Sequence, residues 1–160
     1  MTGIAPLIPR EELAAWAGAQ HAAGRRIVFT NGCFDLIHRG HVEYLADAAA
    51  LGDVLIVALN TDASVRRLKG PSRPIVSQDD RCAVLAHLRP VGALTMFDEP
   101  TPLETIALIR PHVLVKGDEY AESQIVGADL VRADGGEVVR VAMRPGRSTS
   151  SIIESIKHLP

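Results

Sequence analysis

His38 and His41 stand three residues apart around a glycine, in the run His38-Arg39-Gly40-His41. If a helix begins there, that spacing puts both imidazoles on one face. A helix start also offers unpaired N–H groups and the positive end of the backbone dipole, which favour an anion. Gly40 has no side chain to keep a phosphate from the backbone. Two imidazoles and several amides around one anion suit phosphoryl or nucleotidyl transfer, where positioning and charge stabilisation outweigh covalent chemistry. The pair alone equally describes surface or core histidines, or half of a zinc site. Zinc would need further ligands; Cys33 and His87 are available but lack finger-like spacing. The chain contains neither the Gly-Lys-Ser/Thr P-loop nor Gly-x-Gly-x-x-Gly. This argues against a P-loop NTPase and a standard dinucleotide binder.

The elements around the motif must place it. Residues 11–23 read as a helix stopped by Gly24, and 26–31 as a short apolar strand that would be buried in a parallel sheet. A turn at 32–35 then leads into a helix over about 40–51, with Gly52 as its C-cap. A second strand is expected over 53–59, then a loop at 69–74 rich in Gly, Ser and Pro, a candidate mobile flap. Ser77 opens a helix closed by Arg89-Pro90. Strand 93–97 follows, then a helix with Thr101 as N-cap and Pro102 at its first position. Strand 113–116, helix 126–133, strand 137–141 and a last helix capped by Ser148 complete the pattern. Strands alternating with helices predict an α/β fold: a Rossmann-like, doubly wound, five-stranded parallel sheet. In such sheets ligands bind beyond the C-terminal strand ends, where the chain order reverses. The histidine motif follows the first strand directly.

Composition narrows the partners. The 160 residues are 47% hydrophobic, enough for one domain with a real core. We expect a single domain over 1–160, with 1–24 as an N-terminal helical extension and 25–160 as the core. A net charge of −2 gives no general attraction to nucleic acid or to an anionic membrane. No apolar run is long enough to cross a bilayer, and the first ten residues lack a signal-peptide core. A cytoplasmic location is expected. Cys33 and Cys82 suggest no disulfide framework; Cys33 reads as a small buried turn residue.

The segment from Thr30 through Asn31-Gly32-Cys33-Phe34-Asp35 to His41 resembles the signature of the cytidylyltransferase-like nucleotidyltransferase superfamily. A second stretch, Gly146 to Ile153, resembles that family's Ser-Thr-Thr helix start, with Ser150 where threonine is usual. Two signatures in the right order, about a hundred residues apart, are more specific than either alone. The middle segments, Asn60 to Gly70, Ser72 to Ile75, Asp79 to Arg81, Phe97 to Leu103 and Leu114 to Gly117, are similar to the bacterial heptose 1-phosphate adenylyltransferases of lipopolysaccharide-core synthesis. With no kinase half here, the chain resembles their stand-alone form. It departs at Lys116-Gly117-Asp118-Glu119-Tyr120, where the family commonly has Lys-Gly-Gly-Asp-Tyr.

The resemblance implies the HxGH nucleotidyltransferase fold and an enzyme that joins AMP from ATP to a D-glycero-D-manno-heptose 1-phosphate. ADP-heptose and pyrophosphate would be the products. Mg²⁺ would be held mainly by the ATP phosphates, and a homo-oligomer, dimer or tetramer, is expected. The alternative is a cytidylyltransferase acting on glycerol 3-phosphate or a similar ester. His38, His41 and Lys69 would be catalytic, the lysine as a charge clamp from the flap. Thr30, Asn31, Gly32, Cys33, Phe34 and Gly40 would surround the phosphates with backbone. Lys116, Gly117 and Asp118 would meet base and ribose, with Glu119 a solvated neighbour. Ser148, Thr149 and Ser150 would offer hydroxyls and a helix start to the β- and γ-phosphates. Asp35, Asn60, Asp62, Arg73 and Arg81 are candidate substrate ligands. For Asp35 the alternatives are orienting a histidine or turn capping, for Asp62 helix capping, and for Arg73 and Arg81 surface ion pairing. One of Arg144 and Arg147 would add positive charge.

Overall fold

The computed structural model describes residues 3–160; Met1 and Thr2, the start of the expected domain, lie outside it. Five strands form one sheet: β1 (Ile27–Gly32), β2 (Val54–Asn60), β3 (Ala93–Phe97), β4 (Val113–Gly117) and β5 (Glu137–Val141). They lie in the order β3-β2-β1-β4-β5, every pairing parallel. The helices are α1 (Arg10–Ala22), α2 (Arg39–Ala49), α3 (Asp62–Lys69), α4 (Gln78–Ala86), α5 (Leu103–Ile109), α6 (Ala128–Ala133) and α7 (Thr149–Lys157). β1 to β4 are largely apolar on both faces because both are covered, whereas edge strand β5 is only partly buried. Val28, Leu55, Val57 and Leu59 pack with Tyr44 and Leu45 of α2 and Leu85 of α4. The alternate residues Ile27, Phe29, Ile56 and Ala58 pack on the opposite face with Leu13 of α1, Ile106 of α5 and Val131 of α6. The expected doubly wound sheet is present.

The sheet opens where the motif sits. β1 and β2 stay in register over six residue pairs, whereas β1 and β4 pair only at Val28↔Val113 and Phe29↔Leu114. Beyond that point the strands diverge at the switch in chain order. Thr30 is wholly buried in the gap; its hydroxyl donates to the Val115 carbonyl (3.0 Å) and bonds to Tyr44 Oη (2.8 Å). These bonds replace the missing ladder, since unpaired polar groups there would be costly.

Several local expectations are corrected. α2 ends at Ala49 with Ala50 as cap, so Gly52 is no C-cap. Its role is close approach: a Cβ there would lie 2.6 Å from the Arg26 carbonyl oxygen. α5 begins at Leu103 with Pro102 in the cap position, so Thr101 does not cap it. α6 starts at Ala128 because Gly127 takes φ 85°. Lys69 is the last residue of α3, not part of a loop; Thr61 caps that helix by accepting from Ser64 N (3.2 Å), leaving Asp62 at its first turn. Residues read as an N-terminal extension join the core. The chain at 6–8 runs beside β3 through Ile8 N–Leu94 O (2.7 Å) and Leu94 N–Pro6 O (2.9 Å), and Leu13 and Ala17 are buried.

Candidate active site

A cleft of about 540 Å³ opens at the C-terminal strand ends, over the divergence of β1 and β4. From β1 and its turn come Asn31, Gly32, Cys33, Phe34 and Asp35, and from the start of α2 come His38 and His41. Asn60, Lys69 and Arg73 line one side, Lys116 and Gly117 the other, and Ser148, Thr149 and Ser150 face the histidines. Thr30, Gly40, Asp62, Arg81 and Asp118 do not reach its wall.

The start of α2 is capped by its own histidines. His38 Nδ1 accepts from Gly40 N (3.0 Å), and His41 Nδ1 accepts from His38 N (3.3 Å). Each Nδ1 therefore carries no proton, and each neutral ring holds its proton on Nε2. The amides expected to meet an anion are thus partly occupied, and the imidazoles take over their donor role. The rings lie 3.9 Å apart between centroids. Burial and then the neighbouring His38 lower the His41 pKa from 6.5 to about 4. Burial and then Arg147 lower that of His38. Both are neutral N–H donors near neutral pH. Gly40 serves this packing: a Cβ there would sit 2.8 Å from His38 Cε1 and 3.4 Å from Arg147 Cβ.

The turn before them is strained in their favour. Phe34 adopts φ 47°, a left-handed conformation that a bulky residue rarely takes. Its ring packs over Gly32, where a Cβ would lie 2.9 Å from it, and against the His41 ring at 5.3 Å between centroids. Phe34 thus supports His41 with its side chain. Burial, above other influences, raises the Cys33 pKa, so its thiol stays protonated.

Across the cleft, Ser148 caps α7 by accepting from Ser151 N (3.0 Å). The N–H groups of Thr149 and Ser150 have no partner among the described residues. The Thr149 hydroxyl donates to the Leu36 carbonyl (3.1 Å), tying the second signature to the first. Arg147 lines the cleft, whereas Arg144 pairs with Glu43 outside it. At the β4 end Asp118 accepts from Met143 N (3.2 Å), and Glu119 lines the cleft instead. Glu119 folds back into the space left by the missing side chain of Gly117. Lys116 lies 5.1 Å from the centroid of the Tyr120 ring, its pKa lowered by burial against the opposing pull of Glu119.

Asp35, Arg73, Arg81 and Asp62 are bound to one another's segments. Asp35 is 3% exposed and accepts from Ile75 N and Val76 N (2.9 Å each) and Arg73 Nε (2.7 Å). Burial pushes its pKa up, but these donors outweigh it and hold it below the ordinary value. Arg81 is fully buried and pairs with Asp62 (2.8 Å). The sequence reading missed Tyr44, Phe97, Tyr120 and Met143, which also border the cleft, and took Glu119 only as a solvated neighbour. Proximity to the β1 and β4 ends was the available signal for Glu119 and Tyr120; none marked Tyr44 or Met143. Lys69, Arg73, Lys116 and Arg147 outnumber the cleft's carboxylates, Asp35 and Glu119, so the local field favours an anion.

The comparisons agree with this geometry. The cytidylyltransferase-like family model matches residues 29–154. The bifunctional protein HldE of Azorhizobium caulinodans is 56% identical over 153 residues, covering 94% of this chain and 32% of that protein. HldE of Magnetococcus marinus is 51% identical over 152 residues, covering 91% of this chain and 31% of that one. The chain therefore spans about a third of the length of the curated relatives it matches. A crystal structure of the lipopolysaccharide core biosynthesis protein from Thermoplasma volcanium is similar with a TM-score of 0.62 and 27% identity, over 76% of this chain and 98% of that one. The chain belongs to the cytidylyltransferase-like family of nucleotidyltransferases.

Proposed function

We propose that this chain transfers AMP from ATP to D-glycero-D-manno-heptose 1-phosphate, giving ADP-heptose and pyrophosphate for lipopolysaccharide or surface-polysaccharide synthesis. The observation that carries the chemistry is two Nε2–H imidazoles at the start of α2 and the start of α7 lining one cationic cleft. A phosphate oxygen of the sugar attacks the α-phosphorus of ATP. A new P–O bond forms as the bond to the bridging α,β-oxygen breaks, and pyrophosphate leaves with the released charge. His38 and His41 donate hydrogen bonds to oxygens whose charge grows in the transition state. Lys69 and Arg147 add positive charge, and the free N–H groups of Thr149 and Ser150, with the Ser148 and Ser150 hydroxyls, hold the β- and γ-phosphates. Lys116, Gly117 and the neighbouring Glu119 bound the space for ribose and base, and Asn60 borders the acceptor.

Mg²⁺, when bound, would be held mainly by the triphosphate oxygens and would neutralise part of their charge. Asn31 Oδ1, buried and without a hydrogen-bond partner, is an oxygen suited to that ion or its water shell. A single domain over 1–160, acting in the cytoplasm as a homo-oligomer, belongs to the same reading. Among the described residues, no helix is long and apolar enough to cross a membrane. The heptose assignment is supported by the middle segments and by the similarity to HldE proteins. The experiment is a pyrophosphate-release assay with ATP or CTP, each against heptose 1-phosphate of both anomers and glycerol 3-phosphate. Release with ATP and a heptose 1-phosphate is expected. Release only with CTP would sink the proposal.

A further inference from the structure

A buried carboxylate must find hydrogen-bond donors in place of water. Those of Asp35 all come from one segment some forty residues later: Arg73 Nε, Ile75 N and Val76 N. Arg81 fastens the same segment from the other side. Its Nε donates to the Val76 carbonyl (3.0 Å), Nη1 to the Cys33 carbonyl (2.5 Å) and Nη2 to Asp62 (2.8 Å). The stretch 69–74, expected to be a mobile flap, is therefore tied through Arg73, and at Ile75 and Val76 just beyond it, to the turn that precedes the histidines.

Arg73 sits on that anchored stretch, and its side chain is only 13% exposed. Among the described residues its guanidinium makes one hydrogen bond, through Nε to Asp35. Neither Nη1 nor Nη2 is a buried orphan, so both remain accessible, on a side chain that lines the cleft. The result is a planar fork, held at its stem by Asp35, with two unused prongs in a cleft that Lys69 also lines. That shape matches two oxygens of one phosphate.

We infer that Asp35 is a positioning residue, holding Arg73 as a fixed two-pronged receptor for a phosphate of a bound substrate. The kinetic part of this inference rests on the nucleotidyl-transfer reading above; the binding part does not. The ligand chemistry is a phosphate with paired free oxygens, supplied by either ATP or the sugar phosphate.

The test is a double-mutant cycle in the full chain with Asp35→Asn, Arg73→Ala and both together. Asparagine keeps an oxygen for the Ile75 and Val76 N–H groups but lacks the charge that holds Arg73. Two readouts are taken: calorimetry with inorganic pyrophosphate, and KM for ATP and for heptose 1-phosphate. Each single variant should weaken pyrophosphate binding or raise one KM at least tenfold, more than it lowers kcat. The double variant should be no worse than Arg73→Ala alone. A rise confined to the sugar phosphate KM assigns the fork to the acceptor; a rise confined to ATP assigns it to the triphosphate. Wild-type binding and KM values in Asp35→Asn, or losses that multiply in the double variant, would overturn the inference. If Asp35→Asn fails to fold, Arg73→Lys decides, since it keeps the charge without the fork. Wild-type affinity there overturns the inference, and a tenfold loss supports it. A chain that binds pyrophosphate through the fork yet turns over no substrate pair would end the adenylyltransferase reading and leave this one standing.

Discussion

At the scale of residues, the two histidines act as neutral donors, and this sets two expectations. Replacing His41 by alanine removes one donor aimed at developing charge, which costs roughly a hundredfold to a thousandfold in turnover. Circular dichroism should stay that of the native fold; turnover near the wild-type value would refute the role. The second expectation concerns pH. The His41 pKa falls from 6.5 to about 4 on folding, so the unfolded chain binds that proton first as pH drops. The stability due to the neutral ring is complete above about 6.5 and is lost progressively toward pH 4. Melting temperatures should fall across that window, and less steeply in His41→Gln; parallel curves would show that His41 does not carry the effect. The residue types and spacing of this motif were legible in the sequence. Which atom of each ring faces the cleft was not, because the tautomer follows from hydrogen bonds to Gly40 N and His38 N.

At the scale of elements, the cleft is built from two helix starts held together. Ser148→Ala removes the cap of α7 and should cost about 1 kcal/mol of helix stability. Hydrogen exchange at residues 149–152 should quicken and KM for ATP should rise; unchanged exchange would mean that Ser148 does not cap in solution. The capping serine was readable from its place before an apolar periodic run. The extent of α3 was harder to read. Its residues Asp62–Lys69 are strongly polar on one side, and only Ser64 and Val65 are buried. With only 8 residues the helix spans little more than two turns, so the Gly- and Pro-rich stretch beyond it took Lys69 into the expected loop. The Thr101-Pro102 start was displaced by one residue. Pro102 takes the cap position with φ −79° and ψ 11°, so the first helical residue is Leu103.

At the scale of the whole molecule, the first helix belongs to the core on the sheet face of Ile27 and Phe29. Leu13 is 1% exposed within it. Leu13→Ala should therefore destabilise the chain by about 2–5 kcal/mol, seen as a lower urea midpoint with one cooperative transition. A loss below about 0.5 kcal/mol, typical of surface changes, would show that α1 is peripheral. By itself the sequence determined the alternation of strands and helices, the parallel sheet and the two signatures at its switch point, because each is a local pattern of burial, capping and spacing. Tertiary structure decided what the polar residues of those signatures do. Whether Asp35, Arg81 and Thr30 face a ligand or the protein depends on partners forty or more residues away, which no local pattern contains. The histidine pair itself was decided at both levels: its spacing put two rings on one face, and the folded turn aimed their Nε2 protons into the cleft.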